Sequence, residues 1–320
     1  MPSTSNRRRL PSVRLLALLA VVAAAVVIAF LVLGDDGLKK TDTIQTGASP
    51  GGVVVSGGSV WVANSESGSL ARIDPGSKKV EGKPAQVGEQ PAYVAYGEGS
   101  VWVTAGTGTR VARVDARTGR LSKTVIAGPD PTGIAVGAGA AWVADSFEGN
   151  VRRIDAQTTR VAGRPIKVGS GPEGVAFGEG AVWVANAGGS TVSRIDPNNN
   201  RVAATIPTGN APSDIAVGEG GVWVTNTSDQ TLVRIDPATN RVAGEPTRLG
   251  GVPVGVAVGE GAVWVVNDSD RTLMRIDPDN GDVTDTVGVG TKDHPSAVAA
   301  GEGAVWVTLA EAGTVERIEP

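Results

Sequence analysis

The stretch "AVWVANAGGSTVSRIDPNNN" (Ala181–Asn200) decides the fold, because near-copies of it recur along the chain. Its tryptophan, Trp183, has counterparts at Trp61, Trp102, Trp142, Trp223, Trp264 and Trp306, and these seven are all the tryptophans in 320 residues. Successive spacings are 41, 40, 41, 40, 41 and 42 residues. A fixed period near 40 marks a repeat architecture in which each unit buries its apolar face only against its neighbours. Four short strands are predicted within one unit. They are Glu173–Phe177, then after a "GEG" turn Ala181–Asn186, then Thr191–Asp196, then after "PNNN" Arg201–Pro207. Valine, isoleucine, threonine and tryptophan dominate them, as half-buried pleated strands prefer, and turn-forming residues separate them. No segment after residue 40 has useful helical periodicity. Four strands per 40 residues make a propeller blade, so the expected fold is all-β, a seven-bladed β-propeller with four-stranded blades.

The two ends of the repeat region sharpen this reading. The last copy stops at "TVERIEP" (Thr314–Pro320), after its third strand. Ahead of the first copy stands "TDTIQTG" (Thr41–Gly47), which matches the fourth-strand segment "VAATIPTG" (Val202–Gly209). The front of the chain is thus expected to complete the last blade and remove the exposed seam of an open array. Each tryptophan is also followed 11 residues later by an arginine, namely Arg72, Arg113, Arg153, Arg194, Arg234, Arg275 and Arg317. With Asn186 and Thr191 flanking the hairpin loop, Trp183 falls opposite Arg194, guanidinium against indole.

Composition narrows the function. The chain has no cysteine, which excludes disulfides, thiolate metal sites and a catalytic thiol. Arg7, Arg8, Arg9 and Arg14 precede "LLALLAVVAAAVVIAFLVLG" (Leu15–Gly34), 20 residues without a charge. That length suits a bilayer core of about 30 Å, and the arginines place their side in the cytoplasm. The expected organisation is therefore a basic N-terminus (1–14), a transmembrane signal anchor (15–34), a short linker (35–40) and an extracytoplasmic propeller (41–320), secreted if the signal is cleaved. Setting aside Arg7, Arg8, Arg9, Arg14, Lys39 and Lys40 from 29 basic residues, and Asp35 and Asp36 from 33 acidic ones, leaves 23 against 31, a net charge of −8 for residues 41–320. No basic stripe is present to neutralise phosphates, so nucleic acid is not an expected partner.

Residues repeated in every unit are explained by folding, so a site is sought where the copies differ. The loops entering the innermost strands ring the mouth of the central channel. Their ionisable residues are Glu89, Asp130, Glu173, Asp214, Lys292, Asp293 and His294. Several carboxylates and one imidazole suit a divalent cation such as Ca²⁺ or Mg²⁺, a cationic ligand, or only solvent. The loops between second and third strands are small and polar, with Phe147 as their exposed aromatic. "DPDNGD" (Asp277–Asp282) fails the EF-hand spacing and reads as a hairpin turn.

The segments "VWVTNTSDQTLVRIDPATNRV" (Val222–Val242) and "VWVANAGGSTVSRIDPNNNRV" (Val182–Val202) resemble the YVTN family of bacterial β-propeller repeats and the repeats of streptogramin (virginiamycin B) lyases. The resemblance spans residues 41–320 and implies an exported recognition or scaffold propeller. In the lyase branch it implies cation-assisted opening of a cyclic depsipeptide at an ester by elimination. That branch carries histidines directly after the proline of the inner-strand loop. The matching positions here are Gly51, Ala92, Thr132, Glu173, Ser213, Val254 and Ser296, and the one histidine, His294, precedes Pro295. The leading expectation is a membrane-anchored module that binds a protein or small-molecule ligand outside the cytoplasm. The alternatives are a lyase or calcium-dependent lactonase using His294, Glu173 or Asp214 at the channel mouth, and behind them a quinone-cofactor dehydrogenase.

Overall fold

A computed structural model describes residues 37–291 and 293–320, and the expected anchor lies outside them. Seven sheets follow one another along the chain, each of consecutive antiparallel strands. In the fourth blade the strands are Pro172–Gly178, Ala181–Asn186, Thr191–Asp196 and Arg201–Pro207. The expected boundaries hold to within a residue. The "GEG" turn works because Glu179 and Gly180 both take positive φ, 51° and 67°. Two left-handed residues in succession give the tight hairpin whose twist matches its strands. All seven blades repeat this pair of torsions at that turn. The Asp of "RID" starts the next turn, where Asp196 Oδ1 accepts the Asn198 N–H at 2.9 Å. That bond is an Asx turn, a structural duty for a residue present in most copies.

The fourth strand is less regular than its sequence pattern. In the first and third blades it splits into Lys79–Val80 with Ala85–Gln86 and Arg160–Val161 with Ile166–Lys167. Gly82 and Gly163 turn to positive φ there, and Pro84 and Pro165 lack an N–H for the ladder. The only helical element among the described residues is a three-residue 3₁₀ turn, Ala187–Gly189.

The ring closes as expected. Lys39–Gln45 pairs antiparallel with Thr314–Glu319, completing the last sheet outside Pro295–Gly301 and Ala304–Leu309. The closing strand starts at Lys39, so the last two residues of the expected linker already pair, with Glu319 and Ile318. Lys40 forms an ion pair with Glu316, which is 2% exposed. Trp306 of the last blade packs with Val53, Val60, Val62 and Ile73 of the first, so the seam has the same kind of core as the other junctions.

Every tryptophan is at most 2% exposed and sits at a junction between blades. Trp142, for example, packs against Val175, Val182, Val184 and Ile195 of the following blade. Each expected Trp–Arg pair is in register, Trp183 opposite Arg194 among them. The guanidinium carbons lie 5.2 to 5.8 Å from the indole centroids in all seven. One stack of indole on guanidinium per junction spaces the blades around the ring.

Candidate functional site

The innermost strands of all seven blades enclose a central cavity of about 850 Å³. Each enters through a proline, and the two positions after it set the wall. At the second position stand Gly52, Tyr93, Gly133, Gly174, Asp214, Gly255 and Ala297. Glycine prevails because neighbouring strands nearly touch: a Cβ on Gly133 would lie 2.1 Å from the Glu173 carbonyl oxygen. Only the second and fifth blades carry a large side chain at this position, Tyr93 and Asp214. At the first position only the fourth blade is charged, through Glu173. Among the described residues Glu173 and Asp214 are the sole charged ones lining the cavity, and they belong to adjacent blades.

Asp214 is fixed by its surroundings. Oδ1 accepts the Ile215 N–H and Oδ2 accepts the Val256 N–H of the next blade, both at 2.9 Å. Burial nevertheless pushes its carboxyl up to about 6, with the two N–H donors opposing the rise. Glu173 is half-buried and likewise raised, first by desolvation and then by the charge of Asp214. Tyr93 is 40% exposed. Its hydroxyl is pushed up to about 12 by desolvation, then by the negative charges of Asp214, Glu173 and Asp130. It therefore stays protonated at neutral pH and has a proton to donate. The wall also carries hydroxyls: Thr227 donates to Ser213 Oγ at 2.6 Å, and Ser213 Oγ lies 3.1 Å from Thr225 Oγ1.

The other predicted residues are dispersed. His294 does not line the cavity. It is half-exposed and its Nδ1 lies 2.8 Å from Asp268 Oδ1. Its ring is turned to Asp268 instead, although Gln90, at the same position before Pro91, does line the cavity. Glu89 lines a separate cavity in the second blade, and Asp130 and Asp293 are half-buried off the central wall. Phe147 is 81% exposed on its loop. Among the described residues no three His, Asp or Glu side chains converge as a metal site. Tyr93 is not among the ionisable loop residues that the charge pattern picks out, although it breaks the run of small residues at its position just as Asp214 does.

The model of one family, described as the virginiamycin B lyase family, matches residues 159–320, just over half of the chain. The chain belongs to the virginiamycin B lyase family. Solved structures agree on the fold. A streptogramin B lyase superposes with a TM-score of 0.73 at 18% identity, covering 88% of this chain and 97% of that one. A virginiamycin B lyase from Staphylococcus aureus gives 0.76 at 16%, covering 88% and 99%. Hydrazine synthase of Kuenenia stuttgartiensis gives 0.72 at 19%, covering 90% and 99%. Another structure of the S. aureus lyase, catalytically inactive, was solved with quinupristin. No curated protein sequence matches the chain. A divalent cation such as Ca²⁺ or Mg²⁺ needs several oxygen donors. The central wall offers two carboxylates, and both oxygens of Asp214 already hold backbone N–H groups. The residues present do not fit such an ion.

Proposed function

We propose that this member of the virginiamycin B lyase family is a ligand-binding propeller, held outside the cytoplasm by its N-terminal segment, whose channel takes an organic cation. The observation that carries the reading is the channel wall. Among the described residues its only charges are the neighbouring carboxylates of Glu173 and Asp214, with a protonated tyrosine across the ring and a wall of aliphatic and hydroxyl groups elsewhere. An ammonium or amidinium group entering there relieves the repulsion that raises Glu173 and is held in a setting poorly screened by water. Tyr93 offers a hydroxyl donor and an aromatic face for the same ligand. A cavity of about 850 Å³ is within the range of small-molecule sites.

The reading is tested by titrating the full chain in detergent with putrescine, a short diamine, at pH 7.5 in a calorimeter. Saturable binding is expected, weakened at least tenfold in Glu173→Gln and again at pH 5, where Asp214 is protonated. Equal binding by the native chain and Glu173→Gln would refute it.

A further inference from the structure

A second cavity lies beside the channel, in the second blade, and it exists because one side chain is missing. The second strand of a blade ends in Asn64, Asn186, Asn226 or Asn267 in four blades, in Asp145 in the third and in Leu309 in the last. Only the second blade ends this strand in a residue as small as Ala105. The four asparagines are wholly buried and plug the space under the loop that enters the blade. Asn64 Nδ2 donates to the Thr46 carbonyl at 3.3 Å, and Asn267 Nδ2 to the Leu249 carbonyl at 3.1 Å. Asn186 Oδ1 accepts the Gly169 N–H at 3.1 Å. In three of these blades the plug is tight, since a Cβ on Gly47, Gly169 or Gly209 would come within 2.7 Å of the asparagine, whereas one on Gly250 would meet only Asp270 at 4.0 Å. A Cβ on Gly88, the equivalent glycine of the second blade, would meet nothing within 4 Å.

The vacated space belongs to a cavity of about 440 Å³ lined by Val87, Gly88, Val103 and Ala105, with Glu89 and Arg110 at its rim. The Val87 carbonyl and Gly88 N–H stand where the other blades present their groups to an asparagine. Neither has a hydrogen-bond partner among the described residues. The rim is as distinctive as the hole. Arg110 opens the third strand where the other blades have Ser69, Asn150, Thr191, Thr231, Thr272 and Thr314. It is exposed and, among the described residues, its side chain has no ion pair or hydrogen bond; the same is true of Glu89.

We infer that this cavity binds an α-amino acid with a terminal carboxamide, of the asparagine or glutamine type. The ligand's amide replaces the missing side chain, donating to the Val87 carbonyl and accepting from the Gly88 N–H. Its carboxylate meets the Arg110 guanidinium, which holds carboxylates through paired N–H donors. Its ammonium meets Glu89. A ligand ending in a second carboxylate has no N–H to offer Val87 and leaves that buried carbonyl unpaired.

The inference is independent of the channel reading and is tested on the full chain by calorimetry and thermal shift with L-glutamine, L-asparagine and L-glutamate. Saturable binding of glutamine or asparagine is expected, at least tenfold tighter than glutamate. Ala105→Asn, which installs the residue that four other blades carry, is expected to fold and to abolish that binding while leaving putrescine binding unchanged. Arg110→Met is expected to weaken it at least tenfold. Absence of saturable binding by either amide, glutamate binding equally well, or undiminished binding in Ala105→Asn or Arg110→Met would each overturn the assignment.

Discussion

Replacing Arg317 with methionine is expected to cost the propeller more than the same change at Arg194, although both arginines stack on a buried tryptophan at equivalent positions. Methionine keeps most of the aliphatic packing and removes the charge and its donors. At Arg194 the loss is the stack on Trp183, 5.5 Å from centroid to guanidinium carbon, because its Nε has no partner in its buried position. A cation–π contact of this kind is worth about 0.5–2 kcal/mol, and removing an unpaired donor offsets part of that. Arg317 is 9% exposed and does more. Its Nη1 donates to Thr41 Oγ1 at 2.8 Å and to Glu319 at 2.6 Å, tying the closing strand to the end of the chain. A charged hydrogen bond of the first kind contributes about 1.5–3 kcal/mol, and the partly exposed ion pair about 0–1 kcal/mol. Its Nε is likewise buried without a partner, so the same offset applies, and with its stack on Trp306 the loss at Arg317 comes to about 2–5 kcal/mol, against about 0.5–1 kcal/mol at Arg194. At about 2 °C per kcal/mol for a chain of this size, Arg317→Met should lower the melting temperature by about 4–10 °C and Arg194→Met by about 1–2 °C. Scanning calorimetry on the two variants side by side decides it. Equal shifts, or a larger one at Arg194, would refute the view that the seam is keyed through Arg317.

Other consequences follow from the wall of the channel. The carboxyl of Asp214 is raised to about 6 from an ordinary 3.8, so the folded state binds its proton more tightly than the unfolded chain does. Its contribution to stability is complete below about pH 4 and is lost as pH rises through 6, by about 3 kcal/mol in total. The stability difference between native chain and Asp214→Asn, followed by urea melts from pH 4 to 7, should fall over that window; a flat difference would contradict the burial. Gly133→Ala puts a Cβ 2.1 Å from the Glu173 carbonyl and should destabilise by about 1–3 kcal/mol in the same melts, with Gly139→Ala, whose Cβ meets nothing but whose φ is 70°, as a control for backbone strain alone. Tyr93→Phe removes the channel's phenolic donor and should weaken putrescine binding two- to tenfold in calorimetry without lowering the melting temperature by more than about 1 °C.

Much of the fold was legible in the sequence because a repeat writes its architecture seven times. The tryptophan spacing gave the number of blades, "GEG" fixed the inner hairpin through two left-handed residues, and Thr41–Gly47 announced the closing strand. The broken outer strands were missed because strand composition continues through Lys79–Gln86 and Arg160–Lys167 while a proline and a left-handed glycine interrupt the ladder in each. The site was legible in part. Glu173 and Asp214 could be placed on the inner strands because both stand within two residues after the proline that opens such a strand. The same placement singles out Tyr93, whereas His294 is set aside only by its turn toward Asp268, since Gln90 at the equivalent position lines the cavity. The gap left by Ala105 was illegible as a cavity, since an alanine ending a buried strand looks unremarkable until the asparagines of the other blades are seen to be plugs.

On the proposed binding role, the channel of this virginiamycin B lyase family member holds a ligand without cleaving it. The most direct test is to incubate the full chain with quinupristin, the compound seen with the S. aureus lyase, in the presence of Mg²⁺ and to follow the cyclic compound by liquid chromatography. The cyclic form should persist at the rate of an enzyme-free control. Accumulation of a ring-opened product above that control, abolished by Glu173→Gln, would contradict the account.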